Sequence, residues 1–347
     1  MTAPEPPSTE RLEEFVSNAE PVLLERRYRA ALRLLPASYR AEREEEMVAA
    51  FLEMSGDVPD ERGPRPRWGE IASVAALAVR VRLGGAGARA AALGETVRLV
   101  ALLGLGFQAM LGVHGLVWLA AMATGYLPSP DIATGADPFA AVADVLWVVA
   151  FTAAVRGSTG PAKPVAVAAA AVSLVLLGPA AHLTWTAAPA ALMASVPVIA
   201  LLAGFHGEAP VTVRPWRLVL LPMAVTLLVM AAVLPVALLP WAVLPEPLLA
   251  VSELVQPDAI ATVACAVACA VALRRGWAPS ARLALAAAAT LLLAWRLPLA
   301  VPMPDAEFVW VPAAVLCAVL TAVIVPLVVT GRRLLPPARR AESGPAA

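Results

Sequence analysis

An all-α polytopic membrane bundle carrying a small helical head is the fold class this chain predicts, and three observations lead there. The 347 residues are 60% hydrophobic, with a mean hydropathy of +0.76, well above the roughly 45–50% apolar content of globular domains. Charge is segregated: of 26 basic and 26 acidic residues, 13 Arg and 15 acidic side chains precede Glu95, a density that only water solvates. From Leu99 onward the sequence runs in blocks of Leu, Ala and Val, and a bilayer-crossing helix needs roughly 20 mostly apolar residues. The chain divides accordingly into a disordered leader over 1–19, a cytosolic head and juxtamembrane linker over 20–94, a transmembrane domain of about eight helices over 95–331, and a basic cytosolic tail over 332–347.

The leader is polar and Pro-rich. The first 30 residues carry Glu5, Glu10, Glu13, Glu14 and Glu20 and lack both the basic and the apolar regions of a secretory signal, so the N-terminus is expected in the cytosol. Three amphipathic stretches follow. In the first, Leu24, Tyr28, Ala31, Leu32 and Leu35 recur at three- and four-residue steps with arginines on the other faces, and Pro36 ends the run. Ser38 is the candidate N-cap of the second stretch, with an incomplete capping box because Ala41 stands at its third position. That helix sets Met47, Val48, Phe51 and Leu52 on one side, and Glu42, Glu44, Glu45 and Glu46 near its start, where the helix dipole favours acids. After a turn-rich linker from Gly56 to Pro66, Trp68, Ile71, Ala75, Ala78 and Val81 or Arg82 keep helical spacing. A core this small is marginal alone, which points to docking on the membrane part, the bilayer surface or a partner.

The run Arg27-Tyr28-Arg29-Ala30-Ala31-Leu32-Arg33-Leu34-Leu35-Pro36, followed by Tyr39-Arg40-Ala41-Glu42-Arg43-Glu44-Glu45-Glu46-Met47, resembles the helical prefix of multi-pass membrane proteins from GC-rich bacteria. It is also similar to the HAAS and permease-prefix domains, which are joined to membrane helices and associated with PadR-type regulators or with permease subunits of export systems. The resemblance covers about residues 26–83 and implies a small interaction domain with a cytosolic regulator or transporter subunit as partner.

Eight apolar segments read as spans: about 99–123, 139–155, 164–183, 186–204, 218–240, 258–273, 282–300 and 308–330. The fifth contains Pro222, Pro235 and Pro240, which predict kinks. Loop charge checks the count. With the N-terminus inside, the inner gaps hold Arg156 and Lys163, Arg214 and Arg217, and Arg274 and Arg275, while the tail adds Arg332, Arg333, Arg339 and Arg340. The outer gaps, around Asp131 and Asp137, Trp185, Glu246 to Asp258, and Asp305 and Glu307, contain no Lys or Arg. Basic enrichment of cytoplasmic loops orients helices, and it agrees here at every gap. Six or ten spans would also leave both termini inside, but would move an Arg-bearing gap outside.

Charged residues inside spans are rare and face the bundle interior. Asp144 in the second span and Arg296 in the seventh both fall about 8–10 Å below the outer edge of the hydrocarbon at 1.5 Å per residue, and His114 in the first span falls at a similar depth. Gln108 lies nearer the midplane. The expectation is a cluster in which Asp144 pairs with Arg296 and His114 reaches one of them. Its reading stays open between a structural ion pair, Arg296 snorkelling outward without a partner, and a ligand or proton site. His182 beside Trp185 reads as interfacial. His206 with Glu208 is too little for a metal, which takes three or four ligands. Cys265, Cys269 and Cys317 lie in apolar runs without a C-x-x-C motif and read as packing residues. Asp258 after Pro257 reads as an ordinary helix start, and Trp241 through Leu254 as a short interfacial helix.

A net charge of zero and a pI near 6.9 remove bulk charge as a basis for direct nucleic-acid binding. No P-loop, nucleophile-elbow or H-E-x-x-H motif occurs, so no catalytic residue, cofactor or metal is expected. The leading function is a non-enzymatic plasma-membrane protein, an anchor, sensor or accessory subunit whose head binds a regulator or transporter component. The alternative is a permease-like transporter of a small or lipophilic molecule.

Overall fold

The computed structural model describes residues 24–55, 66–84, 88–124, 138–177, 187–205, 215–237, 256–302 and 307–335. The expected leader, the 56–65 linker, His182, Trp185, His206, Glu208, Pro240, the 241–254 segment and most of the tail lie outside them. Every regular element among the described residues is helical. The chain divides into two compact units, Met1–Ala91 with Ala338–Ala347, and Ala92–Pro337.

In the first unit, α1 (24–32), α2 (Ala37–Ser55) and α3 (Trp68–Gly84) share one small cluster. Tyr28, Leu32 and Leu35 meet Val48 and Phe51 of α2 and Val74 and Ala78 of α3. The rings of Tyr28 and Phe51 stack at 3.9 Å between centroids. On the polar side Arg29 forks onto Glu45, with Nη1 and Nη2 donating to its two oxygens at 2.8 and 2.9 Å, while Nε donates to Glu25 at 2.9 Å. These bonds hold the exposed Glu45 carboxyl below its ordinary range. Burial, with Glu70 adding to it, pushes the Tyr28 phenol up. Trp68, expected on the apolar face of α3, is instead 86% exposed. It stands in the first turn, where Glu70 accepts the Arg67 backbone N–H at 2.7 Å, whereas the buried contribution of α3 begins only at Val74.

The second unit contains α4 (Ala88–Ala123) from Ala92 onward, then α5 (Pro138–Val155), α6 (Thr159–Leu177), α7 (Ala187–Gly204), α8 (Arg217–Ala237), α9 (Pro257–Arg274), α10 (Pro279–Arg296), a 3-10 turn (Leu297–Ala300) and α11 (Glu307–Arg333). Each expected span coincides with one of these helices. Among the described residues six are long and apolar enough to cross a membrane: α4, α6, α7, α9, α10 with its 3-10 extension, and α11. This marks a multi-pass membrane protein by length and composition. The described apolar parts of the other two are shorter, Phe139–Val155 and Val219–Ala232. The first span starts earlier than expected because Ala88 to Arg98 continue the helix of α4. α8 runs helically through Pro222 and Pro235, and Thr226 Oγ1 donates to the Pro222 carbonyl at 2.9 Å.

Sequential helices pack as neighbours: α5 on α6, α6 on α7, α9 on α10 and α10 on α11, with α7 also meeting α10. Two tight connections set this up. Gly157 after α5 and Gly276 after α9 adopt φ of 82° and 64°, the left-handed region that a Cβ disfavours. The residue after each glycine donates back five positions, Ser158 N–H to Ala153 at 2.9 Å and Trp277 N–H to Ala272 at 3.2 Å, closing the helix ends as Schellman turns.

Candidate functional site

One buried polar group of the bundle lies where α9 begins and α10 finishes, while the buried Ser280 and Arg282 stand at the other end of α10. The antiparallel α9–α10 hairpin fixes the register. At its tight end Arg282 Nη2 donates to the Ala272 carbonyl at 3.5 Å. At the far end the same register sets Asp258 opposite Arg296, and Arg296 Nη2 meets Asp258 Oδ2 at 2.9 Å. Arg296 is 1% exposed and Asp258 8%. Trp295 Nε1 donates to the same carboxylate oxygen at 3.2 Å. The pair is therefore structural in form: a buried charge neutralised by a neighbour on the adjacent helix. Arg296 Nε is buried without a hydrogen-bond partner among the described residues.

The expected pairing of Asp144 with Arg296 does not form. Depth alone suggested it, but Asp144 belongs to α5, which packs on α6 and α8 and on α4. There its backbone and side chain fill notches left by two glycines. A Cβ on Gly112 would stand 2.7 Å from the Asp144 carbonyl oxygen, and one on Gly115 would collide with the Asp144 carboxylate. Asp144 has no salt bridge or hydrogen bond among the described residues. Sequence reading dismissed Asp258 as a helix-start acid. The signal that identifies it is topological: Asp258 opens the sixth span and Arg296 closes the seventh, so a short connection between antiparallel neighbours brings them level.

His114, half-buried in α4, accepts the Trp118 indole N–H on Nε2 at 2.9 Å, one helical turn along the same face. Its other nitrogen, Nδ1, is buried and has no hydrogen-bond partner among the described residues. The neighbouring Gly115 faces the Asp144 carboxylate, and among the described residues no hydrogen bond or ion pair joins His114 to Asp144 or to Asp258. Gln108 is buried nearer the middle of α4. The three cysteines are free and buried; Cys265 and Cys269 point their thiols at the Leu285 and Val323 carbonyls, each at 3.9 Å. Among the described residues no three His, Cys, Asp or Glu side chains converge as metal ligands do.

Between this polar end and the opposite end, α4, α5, α7, α8, α9 and α10 enclose a cleft of about 390 Å³ whose lining side chains are all apolar. At the opposite end Arg98 Nε donates to the Gly204 carbonyl at 2.9 Å, closing the C-terminus of α7 with a cation, as the helix dipole favours. Searches against family models, curated proteins and solved structures return no match.

Proposed function

We propose that this chain is a non-enzymatic plasma-membrane protein of eight spans with both termini cytosolic, whose three-helix head binds a regulator or a transporter component. The observation that carries the reading is the head's surface. Trp68 at 86% and Met54 at 79% exposure stand outside a head that has its own buried cluster, and large exposed apolar side chains on a charged domain suit a contact with another protein. The resemblance of residues 26–83 to prefix domains and the loop-charge pattern support it. The test places a photo-crosslinking residue at position 68 of the full chain in cells. Transfer to a discrete cytosolic protein is expected, and its loss on Met54→Glu would map the surface. Reporters fused after Pro128 and near Pro247 should read the outer side; cytosolic signal at either breaks the eight-span topology.

A second reading, a permease-like carrier of a lipophilic molecule, draws on the cleft. A path for a polar solute needs polar groups near mid-depth, and the cleft lining supplies none.

A further inference from the structure

Among the described residues two arginines are buried in the bundle, Arg282 and Arg296, and they differ in what balances them. Arg296 meets Asp258. Arg282, 7% exposed in the first turn of α10, meets no acid among the described residues. Its Nη2 donates to the Ala272 carbonyl at 3.5 Å, longer than the roughly 2.7–3.2 Å of a good N–H···O bond. Its Nε is buried with no partner among the described residues, while Nη1, which also lacks an acceptor there, keeps accessible surface. The stem is covered by α11. A Cβ on Gly331 would stand 3.0 Å from the Leu283 side chain and 3.5 Å from Arg282 Cβ, so the last turn of α11 lies on the first turn of α10.

Four more arginines stand on the same two neighbours. Arg274 and Arg275 follow Ala272 closely on α9, Arg332 and Arg333 follow Gly331 directly on α11, and all four are exposed. The described acids of α9 to α11, Asp258 and Glu307, open their helices at the other end of the bundle. On α4, Thr96 Oγ1 reaches the Ser280 carbonyl at 3.4 Å, and the adjacent Glu95 faces Arg98 at 3.6 Å. Helix dipoles account for the exposed arginines, which sit at C-terminal ends where cations are favoured. They do not account for Arg282, which sits at an N-terminal end where the dipole opposes a cation. A buried charge without a counter-charge is costly, so an anion is what this end of the bundle lacks. Leu273, Trp277 and Leu334 stand exposed among the arginines, an apolar rim that suits the bilayer interface rather than open water. We propose that the Arg282 end of α9, α10 and α11 binds the phosphate of one anionic phospholipid, which accepts from Arg282 while its glycerol and upper chains lie along Trp277 and Leu334. A guanidinium fork matches phosphate oxygens, and basic pockets between membrane helices on the cytoplasmic side take anionic headgroups. A phosphodiester carries one negative charge, matching the one buried charge left unbalanced. The site rests on the membrane topology proposed above, not on the head's partner or on transport.

The test places the full chain in nanodiscs of phosphatidylcholine and phosphatidylglycerol in equal amounts and counts the lipids it retains by native mass spectrometry. One phosphatidylglycerol should be retained with about ten-fold preference over phosphatidylcholine, whose choline would face the surrounding arginines; that is the scale of a hydrogen bond to a charged group. Arg282→Gln, which keeps a donor for the Ala272 carbonyl, should remove the preference. Lys163→Gln, which takes one charge from the first turn of α6 on the same face of the membrane, should leave it unchanged. Should Arg282→Gln fail to fold, the unaltered chain decides with a phosphatidylglycerol carrying a diazirine next to its headgroup, whose crosslinks should fall on residues 272–285 and 327–335. Equal retention of the two lipids, a preference that survives Arg282→Gln or falls as far with Lys163→Gln, or crosslinks confined to other segments overturns the proposal. Displacement of the lipid by millimolar inorganic phosphate overturns the lipid source and makes the site one for a soluble anion. Correct topology by the loop reporters alongside any of these failures removes the lipid site alone, whereas reversed reporters with selective retention leave the phosphate site standing and remove the topology.

Discussion

Arg29 in the head and Arg296 in the bundle hold carboxylates at nearly the same distance, 2.8 Å to Glu45 and 2.9 Å to Asp258, yet their surroundings give the two contacts different meanings. Arg29 shares its charge among Glu25, Glu44 and Glu45, and Glu45 is 80% exposed on its side chain. Water can replace any of these partners, so the network tunes the packing of α1 on α2 without deciding it. Arg296 is 1% exposed, and no water stands ready to take the place of Asp258. There the ion pair is a condition for burying either residue, and the weight of the contact appears when one member is removed.

The largest effect that sharpens this contrast is Asp258→Asn, which strands the Arg296 charge and should destabilise the bundle by about 3–5 kcal/mol, read as a fall in thermal unfolding temperature of the purified full chain. Replacing both residues by leucine should be far milder, since the buried charge goes with its partner. Next comes the α4–α5 contact. Gly112→Ala forces a Cβ against the Asp144 backbone carbonyl and should cost about 1–3 kcal/mol, whereas at Gly115 the obstacle is the end of a side chain that can rotate away, so Gly115→Ala should be gentler. Arg98→Gln removes the charged donor to the Gly204 carbonyl and should cost about 1–2 kcal/mol. A pair of equal losses at Gly112 and Gly115 would contradict the backbone-contact account of α4 on α5.

The smallest effect belongs to the head. Arg29 holds the Glu45 carboxyl below its ordinary value of 4.5, so its contribution is present above that pH and is lost as pH falls through the lowered native value. An acid titration followed by head-specific fluorescence should show a shallow loss below about pH 4.5 that Glu45→Gln flattens. A head that unfolds outright on Glu45→Gln would erase the distinction between the two regions.

Sequence alone made the helical segments legible because apolar length is a local signal: each expected apolar segment coincides with a helix, and six of these are long and apolar enough among the described residues to cross a membrane. The core faces of α1 and α2 were legible for the same reason: Tyr28, Leu32, Leu35, Val48 and Phe51 sit at helical spacing and are buried together. Trp68 was misread because periodicity cannot tell that the first turn of α3 projects past a core that ends at Val74. At the candidate site, depth placed His114 and Arg296 at one level, but depth carries no azimuth. Whether Arg296 faces α5 or α9 depends on which helices are neighbours. The glycines of α4 that seat Asp144, and the Gly276 turn that sets Asp258 beside Arg296, act through close approach between helices that no single segment encodes.

The most direct measurement is a pair of double-mutant cycles on the full chain, Arg296→Leu combined with Asp258→Leu and, separately, with Asp144→Leu, read by thermal or denaturant unfolding. The Asp258 cycle should give a coupling of at least about 3 kcal/mol, because the double variant is far milder than either single one, and the Asp144 cycle a value within about 0.5 kcal/mol of zero, as for independent sites. Strong coupling to Asp144 with none to Asp258 would contradict the assignment of Asp258 as the partner of Arg296.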